Sequence, residues 1–180
     1  MKELELQKAF MLIEPGPVTL VTTCMGGKNN VMTISWTMVM DFTPRFALLT
    51  GAWNYSYKAL VKTGECVIGI ATADLIETIL DVGTSSGIET DKFATFGLTA
   101  LPASQVGAPL IKECYANIEC RVVDHIKSHN IFVLDGVKAW IDEERKEKRI
   151  LHARGDGVFF ADGEIYERRE RMKDKLPPGV

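Results

Sequence analysis

The residues most able to do chemistry sit in one stretch, Asn29-Asn30-Val31-Met32-Thr33-Ile34-Ser35-Trp36-Thr37-Met38. Successive side chains of a strand point to opposite faces. Val31, Thr33, Ser35 and Thr37 therefore form one row, and Met32, Ile34, Trp36 and Met38 the other. The first row is a ladder of hydroxyls and the second is large and apolar. Together they offer hydrogen-bonding groups beside a wall on which a flat molecule can lie. A half-buried strand whose Thr and Ser face water explains the same residues without any ligand.

The elements around this stretch must position it. Val18–Cys24 is β-branched and lies between Pro17 and Gly26-Gly27, the pattern of a strand entering a hairpin whose second arm is the stretch itself. Asp41-Phe42-Thr43-Pro44 turns the chain into a short apolar strand, Arg45–Thr50. Gly51–Tyr55 is a loop, Ser56 is placed as the N-cap of a helix over Tyr57–Lys62, and Gly64 stops it. Cys66–Ala71 reads as a buried strand, followed by an amphipathic helix carrying Leu75, Ile76, Ile79, Leu80 and Val82.

From Gly83 to Pro109 small and turn-forming residues dominate, which predicts a long loop with one helical patch at Asp91–Phe96. Tyr115–Asp124 alternates as a half-exposed strand, and Asn130–Ile141 is a strand bent at Gly136. Asp142–Lys148 is a charged connector. Val158–Ala161 and Glu164–Tyr166 flank Asp162-Gly163 as a tight hairpin. A short helix is expected over Glu3–Leu12, and the tail ERRERMKDKLPPGV reads as a solvated end. Many short strands with few helices make a mainly β barrel with flanking helices, and residues 1–180 read as a single domain.

Composition narrows the function. With 46% hydrophobic and 25% charged residues the chain reads as globular. A net charge of -3 gives no global attraction to nucleic acid or to anionic membrane. The stretch MKELELQKAF lacks a signal-peptide core, and no run approaches a membrane span, so a cytoplasmic location is expected. Cys24, Cys66, Cys114 and Cys120 lack metal or redox spacing and read as free thiols, and no metal site is expected. GxGxxG and GxxxxGK[ST] are both absent.

The succession PVTLVTT, NNVMTISW, a Pro-preceded apolar strand, NYSYKALVKTGECVIGI, SSGIETDKFATFGLT and SHNIFVLDGVKAW resembles the flavin reductase-like family of FMN-binding split barrels, in particular its flavoredoxin branch. The likeness runs from about Pro17 to Tyr166 with the segments in family order. It implies a split β-barrel of Greek-key type, FMN near the interface of a homodimer, and an FMN-dependent oxidoreductase.

Matching motifs carry the cofactor-binding positions to Asn30, Thr33, Ser35 and Trp36; to Asn54, Ser56 and Tyr57; to Asp91 and Lys92; and to His129. ARGDGVFFADG resembles the closing hairpin of the family, which brings Phe160 towards the flavin. His129 is the candidate catalytic group at the flavin edge.

The residue chemistry is of the right kind. A flavin mononucleotide asks for an apolar wall, donors for its ring atoms and a cationic pocket for its phosphate. Ser56 at a helix start and Lys92 in the long loop are the phosphate candidates. Singly, each has a structural alternative: Trp36 as a core aromatic, Ser56 as a cap, Lys92 as a surface lysine, His129 as a loop residue. His125 is placed at a solvated strand end, and His152 is given no role. The expected function is electron passage through bound FMN, with the partner left open between NAD(P)H and a redox protein such as ferredoxin. The alternatives are an NAD(P)H:flavin oxidoreductase that releases reduced flavin, and a barrel without flavin.

Overall fold

The computed structural model describes residues 16–40 and 43–172. The helix expected over Glu3–Leu12 lies outside the described residues, as do Asp41, Phe42 and the end of the tail.

Seven strands form one antiparallel sheet: β2 (Thr19–Met25), β3 (Lys28–Ile34), β4 (Thr37–Val39), β5 (Arg45–Leu49), β6 (Glu65–Ile70), β9 (Ala116–Ile126) and β10 (Ile131–Ile141). The first hairpin is local in origin. Gly26 and Gly27 both have positive φ, 61° and 77°, as a two-residue turn matched to strand twist requires, and Met25 then pairs with Lys28.

The order across the sheet is β3-β2-β6-β9-β10-β5-β4. Strands β3 and β4 thus stand at opposite edges although only Ser35 and Trp36 separate them in sequence. Two residues cannot span a flat seven-stranded sheet, whose neighbours are about 4.8 Å apart. The sheet must curl to bring its two edges near one another, and the β4–β5 ladder runs on into the break, where the Trp36 carbonyl accepts from the Leu49 N–H at 3.0 Å. The single strand expected through Met38 is therefore corrected to two, broken where the chain crosses the seam.

Inside the curl lie Val21, Met32, Ile34, Leu48, Cys66, Ile68, Cys120, Phe132 and Leu134. The helix α1 (Tyr57–Thr63) adds Leu60, which is fully buried. Each such side chain contributes about 1.5–3 kcal/mol through burial. A second cluster covers the outer face of β2 and β3. There α2 (Ile76–Thr84) and α3 (Lys92–Thr95) bring Ile79, Val82 and Phe93 against Val18, Leu20 and Val31.

Three expectations are corrected by packing. The polar row of β9 is solvated only at Arg121: Asn117 and Glu119 are buried because residues 99–111 lie over them. Glu119 accepts from the N–H groups of Ser104, Gln105 and Val106 and from Trp140 Nε1 at 2.8 Å. Asn117 exchanges two 2.9 Å bonds with the Ile111 backbone. The long loop is thereby pinned, and it contains the short pair β7 (Ala100–Leu101) and β8 (Leu110–Ile111).

The hairpin at Asp162-Gly163 does not form. Instead β12 (Phe159–Ala161) pairs with β11 (Leu151–Ala153), which pairs in turn with β1 (Gly16–Pro17). Asp162 is drawn back to β11 by the Ile150 N–H at 3.0 Å and His152 Nε2 at 2.7 Å, while Ile165 stands exposed. Finally, His125 is not solvated. Its ring stacks on Phe132 with centroids 4.0 Å apart and meets Tyr57 edge-on at 5.6 Å.

The bend at Gly136 is present as a register shift in β10. All four cysteines are free, and burial pushes the Cys114 thiol up to about 12. Among the described residues no cluster of His, Cys, Asp or Glu is able to hold a metal ion, and no helix is long and apolar enough to cross a membrane.

Candidate functional site

The seam opens into a groove. Thr33, Ile34, Ser35 and Trp36 at the break, Leu49 at the end of β5, and Trp53 and Asn54 from the next loop line a space of about 200 Å³. Backbone pairing of Leu49 to Trp36 makes one side. The loop is held on the other by Asn54, whose N–H donates to the Gly51 carbonyl at 2.9 Å and whose Nδ2 donates to Thr50 Oγ1 at 2.9 Å. Ile34 is buried in the floor, whereas Trp36 is 54% and Trp53 66% exposed. A small polar-and-apolar groove with two accessible indoles is a place for a flat ring, not for a chain of charges.

The structure brings four of the expected residues to this groove: Thr33, Ser35, Trp36 and Asn54. Thr33 is also tied outward, its hydroxyl donating to the Ile79 carbonyl at 2.8 Å and so fastening α2 to β3.

Asn30 and Ser56 form a separate buried pair. Asn30 Nδ2 donates to Ser56 Oγ at 2.8 Å, and Thr23 Oγ1 approaches the same oxygen at 3.3 Å. Ser56 sits at the N-terminus of α1, but its hydroxyl makes no capping bond. As an acceptor of both neighbours it keeps its own O–H to donate. The loop at Gly87 lies against this pair: a Cβ there would come within 2.3 Å of Asn30 Oδ1 and 2.7 Å of the Tyr55 ring. Lys28 Nζ donates to the Gly87 carbonyl at 3.1 Å and holds that loop down.

Lys92 is not a surface lysine. It is 5% exposed, and its Nζ donates to the Val82 carbonyl at 2.7 Å near the C-terminal end of α2. Burial lowers the pKa of its ammonium. Asp91 caps α3 by accepting from the Ala94 N–H at 3.2 Å. Lys92 and Ser56 share no hydrogen-bond partner.

Tyr57 packs edge-on against Phe132, 5.6 Å between centroids, beside the inner core. His129 ends an exposed turn, Lys127–His129, and the next residue, Asn130, accepts from the Thr50 N–H at 3.0 Å. The turn thus abuts the base of the groove loop. Phe160 lies on β12, 45% exposed, with the Arg154 guanidinium 6.0 Å from its ring. It does not line the groove.

Leu49 and Trp53 line the groove but escaped the sequence reading. Leu49 carried only a strand signal. Trp53 had a usable one, an aromatic between a strand end and a helix start, but its use depends on Gly51. A Cβ on Gly51 would fall 2.3 Å from Trp53 Cζ3, so the indole lies on bare backbone.

A curled antiparallel sheet of this strand order, split along one seam, is a split barrel. The model of the flavin reductase like domain matches residues 11–159, and the chain belongs to that family. An uncharacterized protein of Archaeoglobus fulgidus is 35% identical over 109 residues, which cover 59% of this chain and 62% of that one. Flavoredoxin of Desulfovibrio vulgaris (Miyazaki F) superposes with a TM-score of 0.79 at 25% identity, covering 86% of this chain and 90% of that one. An FMN-binding domain of a flavin reductases-like enzyme from Shewanella baltica shares the fold, with a TM-score of 0.79 at 24% identity over 92% of this chain and 95% of that one.

Proposed function

We propose that the chain holds FMN with its ring in the groove at the β3–β4 seam and works as a flavoredoxin-type redox protein. The observation that carries this reading is the groove itself, where hydroxyl and amide groups of Ser35 and Asn54 stand beside Ile34 and two half-open indoles. Family membership and the likeness to flavoredoxin support the choice of ligand.

The residues fit a flavin in character and limit it in size. Sites for small molecules enclose roughly 300–1,000 Å³, and the groove has about 200 Å³. One chain therefore builds part of the site, and the rest comes from a second copy in a homodimer. Trp36 is the apolar wall, and Ser35, Thr33 and Asn54 are the polar neighbours of the ring and ribityl chain.

For the phosphate, Ser56 has an O–H left to donate beside Asn30. Lys92 is a buried ammonium with one carbonyl bond among its three donors. Tyr57 and Asp91 act behind them by fixing the starts of α1 and α3. His129, in the exposed turn that abuts the base of the groove loop, is the group proposed at the ring edge. Phe160 would reach a flavin from the C-terminal hairpin. Bound FMN supplies reversible electron transfer that no side chain here provides. The protein's share is to orient the ring and exclude water from one face.

A second reading, an NAD(P)H:flavin oxidoreductase, is favoured by the openness of the groove, since exposed Trp36 and Trp53 leave room for a nicotinamide. A cytoplasmic location suits either reading, because the four free cysteines stay reduced there. Anaerobic stopped-flow mixing of the yellow protein with NADH, NADPH and reduced ferredoxin separates the two. Rapid bleaching by the carrier alone supports the redox-protein reading, and rapid bleaching by a nicotinamide supports the reductase. A colourless protein that takes up no flavin contradicts both.

A further inference from the structure

Trp53 is large, two-thirds exposed and yet closely seated, which is an uncommon combination. An exposed indole with nothing to cover loses little by turning into solvent. Here its six-membered ring lies where a side chain on Gly51 would be: a Cβ would meet Cζ3 at 2.3 Å, Cη2 at 2.5 Å and Cε3 at 2.7 Å. Three ring atoms inside van der Waals distance mean that only glycine permits this seat. Gly51 does not have the positive φ that would itself demand glycine. A Cβ at position 51 would push the indole off this seat.

We infer that Trp53 is a stacking wall for the flavin ring and that Gly51 is its seat, keeping the indole tilted back so that the groove stays open. The inference rests on the proposed flavin reading and adds a positioning pair to it. Two observations and one general consideration agree. Trp53 lines the groove together with Ser35 and Trp36. The loop that carries it is fastened at both ends, by Asn54 on Thr50 and by the Thr50 N–H on the Asn130 carbonyl, so the ring is presented by a held backbone. A rigid aromatic with two torsions loses little entropy on stacking against a planar, electron-poor ring.

The test is a four-member cycle: wild type, Gly51→Ala, Trp53→Ala and the double variant, with Trp53→Phe as the conservative control. Each apoprotein is titrated with FMN and with riboflavin by quenching of flavin fluorescence, and far-ultraviolet circular dichroism checks the fold. Because Trp53 is mostly exposed, its removal should leave the barrel intact.

The expected result is FMN binding at least tenfold weaker in Trp53→Ala, about 1.4 kcal/mol, with the same loss for riboflavin because the ring and not the phosphate is held. Trp53→Phe should recover most of it. Gly51→Ala should also weaken binding, and should change nothing further once Trp53 is already alanine. Wild-type affinity in Trp53→Ala overturns the inference while leaving flavin binding standing. Loss of dimer in Trp53→Ala at unchanged affinity also overturns it, by making the indole an interface residue. Absence of flavin binding by the wild-type chain refutes the functional reading and this inference together.

Discussion

Lys92 has two tasks in this account, and its substitution should show both. Its ammonium is buried on the Val82 carbonyl, so Lys92→Ala leaves that acceptor unpaired and is expected to lower the unfolding free energy of the apoprotein by about 1–3 kcal/mol. If the same donor also reaches the phosphate, FMN affinity should fall roughly ten- to a hundred-fold, whereas riboflavin, which lacks the phosphate, should bind as before. Urea unfolding reads the first effect and parallel flavin titrations the second. Equal losses for the two flavins would leave Lys92 with its structural task alone. The sequence marked Lys92 through a motif but gave no sign of burial, because the carbonyl that draws it in belongs to a helix ten residues earlier, Val82 of α2.

Among the elements, strand β9 does most to hold the loops in place. Glu119 is fully buried, yet its carboxyl stays below the usual carboxylate pKa. Burial alone would raise it, but hydrogen bonds from Trp140, Ser104 and Gln105 outweigh the desolvation. A carboxyl whose pKa is depressed on folding adds stability above its unfolded value of 4.5, and that stability is lost as pH falls through the lower folded value. Stability is therefore expected to drop below about pH 4.5 in the wild type, and this part of the acid dependence should vanish in Glu119→Gln. Glu119→Ala, which strands several N–H donors, should cost on the order of 3 kcal/mol by urea unfolding.

What was legible in the sequence was local. The Gly26-Gly27 hairpin, the Gly64 stop and the bend at Gly136 each follow from a few neighbouring residues. The seam between Ile34 and Thr37 was not legible, since it depends on which strands end up at the sheet edges. Nor was the burial of Asn117 and Glu119, whose alternation is that of a solvated face until the loop over residues 99–111 covers them. The candidate site was half legible for the same reason. Thr33, Ser35, Trp36 and Asn54 were visible as a motif and a loop, whereas Leu49 and Trp53 enter the groove through long-range pairing and the bare backbone of Gly51.

At the scale of the whole molecule, the curled sheet keeps an apolar edge at β4. Met38 and Val39 on β4 are 59% and 68% exposed, and Met40 and Trp36 continue the patch. An open, apolar edge strand is a hazard for a lone chain, and a second copy would cover it while completing a groove too small for a flavin. Sedimentation velocity at micromolar concentration is expected to give a dimer. Val39→Lys should shift it towards monomer and weaken FMN binding together, and a wild-type monomer would contradict the shared-site account.

The central claim, that the seam groove is an FMN site, is tested most directly by titrating apoprotein with FMN and FAD in wild type and in Trp36→Ala. The account predicts saturable quenching by FMN, weaker binding of FAD, and a clear loss of FMN affinity in the variant. Equal or tighter binding of FAD, or an FMN affinity untouched by Trp36→Ala, would contradict it.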